Sequence, residues 1–270
     1  MRASAPRRRR VGPVVAILGG FGLALLVLPL LGLLLRAPWA ELPALLASTE
    51  VLQALGLSLL TAGLSTLACL VFGIPLAVLL SHSEQWAVVP RRLLRTAITV
   101  PLVLPPVVGG IALLLLLGRR GVVGQWLAEA GITIPFTTGA VVIAQTFVAM
   151  PFLVFAVEGA LRSADRRSEL AAASLGASPA QVFRLVTLPL VAPGIAAGAV
   201  LCFTRALGEF GATITFAGSF PGVTRTLPIA SYLAMNSDPD TAIALALLLL
   251  VVSLAVLLGL RDRWLPGVNR

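Results

Sequence analysis

Lysine is absent from this chain of 270 residues, and all 20 of its basic residues are arginine. That absence excludes the phosphate-cradling loop G-x-x-x-x-G-K-[ST], whose lysine must reach the terminal phosphates of a nucleotide. There is one histidine, and there are two cysteines. His82 alone cannot furnish a metal cluster, which needs several ligands, and reads as a solvated loop residue. Cys69 and Cys202 both fall inside apolar runs, so neither a structural disulfide nor a thiolate metal site is expected. No serine, histidine and carboxylate set could plausibly meet, and no Gly-x-Gly-x-x-Gly turn lies between a strand and a helix. A membrane-embedded enzyme therefore has no nucleophile, base or metal to work with. Charge is also scarce: 11% of residues are charged, against about 25% in an ordinary soluble domain.

What fills the chain is apolar surface, at 58% of residues. Runs of about 20 apolar residues, the length that crosses a bilayer as a helix, occupy residues 14–35, 55–80, 98–117, 139–161, 190–207 and 241–260. They do not alternate apolar with polar as barrel strands do. The expected fold is an all-α membrane protein with six transmembrane helices. The first run follows Arg7 to Arg10 but is too long for an export-signal core and has no small-residue cleavage site after it, so it is expected to be a retained helix.

The net charge of +9 would suit nucleic acid, but its distribution points elsewhere. With the N-terminus inside, fifteen arginines fall on the cytoplasmic side and four (Arg36, Arg119, Arg120, Arg225) outside. The positive-inside rule predicts that asymmetry, so both termini are expected in the cytoplasm and no nucleic-acid partner is needed. The expected organisation is a basic tail at residues 1–13, a membrane domain at 14–260 and a second tail at 261–270, in the cytoplasmic membrane.

The cytoplasmic loop at residues 162–189 is more organised than a connector. Residues 169–175 favour a helix, Gly176 suits the left-handed position that ends one, and Ser178-Pro179-Ala180-Gln181 reads as a capping box with proline at the first helical position. Small residues (Ala171, Ala172, Ala173, Gly176) would admit a close neighbour, and Val182, Phe183 and Val186 form an apolar stripe. A docking element and a helix lying on lipid headgroups both fit this pattern.

The run Glu169-Leu-Ala-Ala-Ala-Ser-Leu-Gly176, followed by Leu188-Pro189, resembles the E-A-A…G…L-P loop of binding-protein-dependent ABC importer permeases. Ala171, Ala172, Gly176 and Pro189 fall in register, whereas Leu170 stands at the family's glutamate position with Glu169 one place earlier. Residues 205–228 with Tyr232 are similar to the segment after the fifth helix in the molybdate and sulfate permeases. Pro101-Leu-Val-Leu-Pro-Pro-Val-Val-Gly-Gly110 and Gly118-Arg-Arg-Gly121 resemble the molybdate branch more. The resemblance implies a type I ABC importer permease fold and a loop that docks on a separate ATP-hydrolysing subunit. It also implies a second copy of the permease, two ATPases and an extracytoplasmic oxyanion-binding protein. The chain itself would hold no cofactor, ATP being bound by the partner. The cargo so implied is molybdate or tungstate, with sulfate or thiosulfate as the alternative.

Charges inside a membrane are costly and point to function. Arg205 and Glu209, four apart, are expected on one face of the fifth helix, either lining a path for a dianion or bracing the loop that follows. Thr213, Thr215, Thr224 and Thr226 offer hydroxyls to an oxyanion or to irregular backbone. Pro101, Pro105, Pro106, Gly109 and Gly110 predict a kink in the third span, facing a pathway or forming only its entry. An ion-coupled secondary transporter is the competing class. It would need midplane carboxylates and repeats, and Glu158 and Glu209 are the candidate acids in or beside a span.

Overall fold

The computed structural model describes residues 12–264, so most of both expected tails, residues 1–11 and 265–270, lies outside the described residues. Among the described residues the chain is helical with no strand. A long apolar helix α1 (Pro13–Leu35) and a short α2 (Leu42–Leu46) lead into α3 (Thr49–His82). The Ser48 hydroxyl caps α3 by accepting from the Val51 amide. Then come α4 (Val88–Val103), α5 (Pro106–Leu117) and α6 (Gly124–Glu129). Helix α7 (Thr138–Ser163), capped by Thr137, is the centre of the bundle.

After α7 come α8 (Arg166–Ser174) and α9 (Pro179–Val182), then a π-helical turn over Phe183–Thr187 and α10 (Leu188–Leu207). The last elements are α11 (Gly211–Ala217), α12 (Leu227–Ala234) and α13 (Pro239–Trp264). The expected C-terminal tail thus begins inside a helix.

Five helices are long and apolar enough to cross a membrane singly. The third expected span, residues 98–117, is corrected by the structure. It is two helices, α4 and α5, meeting at Leu104–Pro105 with a bend of 115°. Pro105 and Pro106 withhold two backbone donors at the joint, so the ladder cannot continue through it. Taken as one bent span the pair brings the count to six, and its two halves meet α7 at successive levels. Arg95 of α4 reaches Glu158, a Cβ on Gly109 of α5 would touch the Phe147 ring, and Leu113 packs with Ala140, Val141 and Ala144.

Lipid is as apolar as leucine, so helices in a membrane are held by close packing and polar contacts rather than by hydrophobic burial. Ala149, Leu153, Val154 and Val157 of α7 pack with Ala62, Cys69, Ala77 and Leu80 of α3 and with Cys202, Ala206 and Leu207 of α10. At the α7–α10 crossing, Gly194 and Gly198 of α10 face Ala160 and Ala156 of α7. A Cβ on Gly194 would overlap that of Ala160, and one on Gly198 would lie 3.0 Å from that of Ala156. Two small residues four apart on each helix bring the backbones together, as in small-xxx-small crossings. No residue of α1 is buried.

Candidate functional site

The loop between α7 and α10 is built by local rules. Asp165 caps α8 by accepting from the Arg167 amide. The helix ends in a Schellman motif: the Ala177 amide donates to the Ala172 carbonyl at 3.1 Å and the Gly176 amide to Ala173 at 3.0 Å. Gly176 sits at φ +86°, the left-handed conformation that the sequence anticipates, and nothing lies within 4 Å of where its Cβ would be. Ser178 and Gln181 then form a complete capping box.

Beyond α9 the backbone widens, with the Leu188 amide donating to the Phe183 carbonyl five residues back. Pro189 accounts for the wide turn, since in an α-helix its ring would meet the carbonyl of Leu185. The turn puts Thr187, which is buried, under α8, and its hydroxyl donates to Glu169 Oε1 at 2.6 Å. Glu169 is therefore a strut inside the loop. Thr187 was missed in the sequence, because the contact spans eighteen residues across a change of helical pitch.

Ala171 and Gly176 are exposed, Ala172 is half-buried and Pro189 is exposed. Leu170 is 67% exposed and Leu175, next to the turn, 90% exposed. Between this loop and the end of α3 lies a cleft of about 840 Å³, lined by Val78, His82, Glu84, Leu161, Glu169 and Phe183 among others.

A charge network that the sequence reading did not assemble closes the same end of the bundle. Glu158 of α7 is 3% exposed and is held by Arg95 of α4 at 3.1 Å and by Arg162, one turn on, at 3.0 Å. Arg162 also reaches Glu84 at 2.7 Å, and the Arg95 guanidinium lies 5.6 Å from the centroid of the Phe155 ring. A buried carboxylate with two guanidinium partners is satisfied where a lone one would be prohibitive. The four-residue spacing of Glu158 and Arg162 was a legible signal, and Arg95 was not.

Arg205 and Glu209 do pair, Nη1 to Oε2 at 2.6 Å, but not on one helical face: α10 ends at Leu207. Glu209 lies just beyond it, 1% exposed, and its other oxygen accepts from the Ala212 amide at 2.9 Å, capping α11. The pair braces the α10–α11 joint. Thr215 donates to the Gly211 carbonyl, and Thr224 accepts from the Phe220 amide. Thr213 and Thr226 are buried with hydroxyls that have no protein partner, as are both polar atoms of Gln145 on α7. Gln145 was missed, although an amide in the middle of a span is itself a signal.

Residues 70–266 match the family described as binding-protein-dependent transport system inner membrane component. The chain is 51% identical, over 92% of its length and 93% of the relative's, to the molybdenum transport system permease protein ModB of Mycobacterium tuberculosis. It is 42% identical to ModB of Escherichia coli K12 over 81% of this chain and 94% of that one.

Its fold matches a chain in the crystal structure of a bacterial ABC transporter involved in the import of the acidic polysaccharide alginate. The TM-score is 0.71 at 19% identity, covering 95% of this chain and 96% of the other. The helical bundle, its membrane-length spans and these matches agree, and the chain belongs to the family of binding-protein-dependent transport system inner membrane components.

Proposed function

We propose that this chain is the permease subunit of an ABC importer that carries molybdate across the cytoplasmic membrane, coupled to ATP hydrolysis in a separate subunit through the α8–α9 loop. The observation that carries the coupling half is the loop's construction. A preorganised turn, fixed by the Schellman motif, the capping box and the Glu169–Thr187 bond, holds Leu170 and Leu175 out from the bundle. A rigid loop presenting unburied apolar side chains loses little entropy on docking. The cargo follows from the relatives, which are named as molybdenum transport permeases.

The loop faces the cytoplasm in this reading, as the arginine asymmetry predicts. In sealed cells a cysteine placed at Ser174 should resist an impermeant label and one at Gly222 should react; the reverse pattern would overturn the orientation. One docking loop per chain, against ATPases that act in pairs, supports two permeases around a twofold axis with two ATPases. An extracytoplasmic binding protein would select the anion.

The test is Gly176→Val. With no neighbour to clash, its effect comes from the backbone, where a branched residue at positive φ costs at least about 1 kcal/mol. Recovery of the ATPase with the tagged permease should fall, and uptake of labelled molybdate with it, while the helices still insert. Normal ATPase recovery and normal uptake would sink the coupling role.

A further inference from the structure

Helix α4 has two unlike faces. One packs into the bundle: Ile98 is buried among Leu80, Val154 and Val157, and Arg95 is pinned to Glu158. The other carries Arg92, Thr96, Val100 and Val103, at spacings of three and four residues, and no helix of this chain covers it. That face walls an open groove of about 510 Å³ whose lining, from Arg92 to Leu104, belongs entirely to α4 and its C-terminal cap.

Its depth follows from α7. Glu158 lies twenty residues from Thr138 at the start of α7, so Arg95 sits about 30 Å along that helix, near the edge of the hydrocarbon, with Thr96 and Thr99 starting the way inward. A polar helix face turned away from its own bundle at that depth must meet water or headgroups rather than acyl chains.

We infer that Arg92, Arg95 and Thr96 form a low-affinity site for the tetrahedral oxyanion at the inner mouth of its path, beside the end of the bundle that carries the α8–α9 loop. The inference rests on the proposed function and names groups on the path that the function leaves open. Among the described residues Arg92 makes no ion pair, so its N–H fork is available. Arg95 spends one N–H on Glu158, and its side chain as a whole is 45% exposed. Arg92, Arg95 and Thr96 stand at i, i+3 and i+4, one surface of a helix turn.

Thr99 is not a donor here, because its hydroxyl proton goes to the Arg95 carbonyl at 2.7 Å. Two guanidinium groups suit a dianion, since charge-assisted bonds to oxyanions are the strong ones. Beyond them Val100, Val103 and Leu104 present only apolar surface up to the break. Along this groove the anion therefore meets charge at the Arg92–Arg95 end and none at the Val100–Leu104 end.

A lipid phosphate has the same chemistry as the cargo, so the experiment separates the two. The intact complex is reconstituted in vesicles of phosphatidylcholine alone and in vesicles containing phosphatidylglycerol, and uptake of labelled molybdate is measured with ATP hydrolysis. Arg92→Gln and Thr96→Val should each lower uptake per ATP roughly fivefold in both lipids, the effect of one lost hydrogen bond. Arg91→Gln, outside the cleft, should match the parent chain. Arg92→Lys, which keeps the charge, should restore much of the loss and guards against a variant that merely folds poorly.

Unchanged uptake per ATP in Arg92→Gln and Thr96→Val would overturn the site. A loss confined to phosphatidylglycerol vesicles would assign the face to headgroups and overturn it equally. Failure of the parent complex to take up molybdate would refute the proposed cargo, and this site with it.

Discussion

Helices α1 and α7 are alike in hydropathy and opposite in surroundings. Their mean hydropathies are 2.6 and 2.3, yet no part of the α1 span is buried while 56% of the α7 span is. The difference lies in what interrupts the apolar run. Between Pro13 and Leu35 there is no polar side chain at all. Helix α7 carries Gln145, Thr146 and Glu158 within its length. Thr146 bonds the Val142 carbonyl and Ser65 of α3, and Glu158 collects two arginines. Uniform apolarity lets a helix face lipid, whereas polar groups in a span need protein around them. Hydropathy finds a crossing, and its exceptions say which crossing is central.

The largest effect that tests this contrast is expected from Leu153→Ala against Leu25→Ala. Leu153 is fully buried on α7 and Leu25 is 77% exposed on α1. Reversible unfolding in mixed micelles should show a loss of about 3 kcal/mol for Leu153→Ala and about 0.5 kcal/mol or less for Leu25→Ala. A comparable cost for both in the isolated chain would break the contrast. A cost at Leu25 that arises only in the assembled complex would sharpen it, by showing that a partner covers α1.

Glycines give the next comparison. Gly194→Ala puts a methyl group into Ala160 at the α7–α10 crossing and should cost about 2 kcal/mol by the same measurement. Gly22→Ala on α1, with nothing within 4 Å, should be neutral or slightly stabilising through helix propensity. The smallest effect is expected at Gln145→Met. Removing a buried amide that has no protein partner should shift stability by less than about 1 kcal/mol, in the stabilising direction. A clear destabilisation there would mean that water or a polar ligand satisfies Gln145 inside α7.

How much of this was legible in the sequence depended on the range of the interaction. Gly176 and the Ser178–Gln181 box were readable because a turn and a cap are decided within four residues. The five unbroken membrane-length helices were readable because length and apolarity decide them. The prolines at 101, 105 and 106 announced a kink, but not a bend of 115°, which also depends on how α5 seats against Phe147 and α11. The Arg205–Glu209 spacing was read correctly as a pair and wrongly as a shared helical face, because Gly208 ends the ladder between them. Arg95 could not be matched to Glu158 from the sequence, since 63 residues separate them.

The wide turn at Phe183–Thr187 bears on where the loop points. Each α-helical residue advances about 100° around its axis, and this turn winds in one residue more than an α-turn holds. Everything on the α9 side is therefore out of phase with α10 by about that angle. The stripe of Val182, Phe183 and Val186 cannot be extrapolated to the buried Val191 by counting threes and fours. Loop and span behave as two screws cut with separate threads and joined end to end. The compass bearing of Leu175 relative to the bundle is thus set by a residue count, and deleting one residue within the turn would swing it by about a quarter of a revolution with both helices intact.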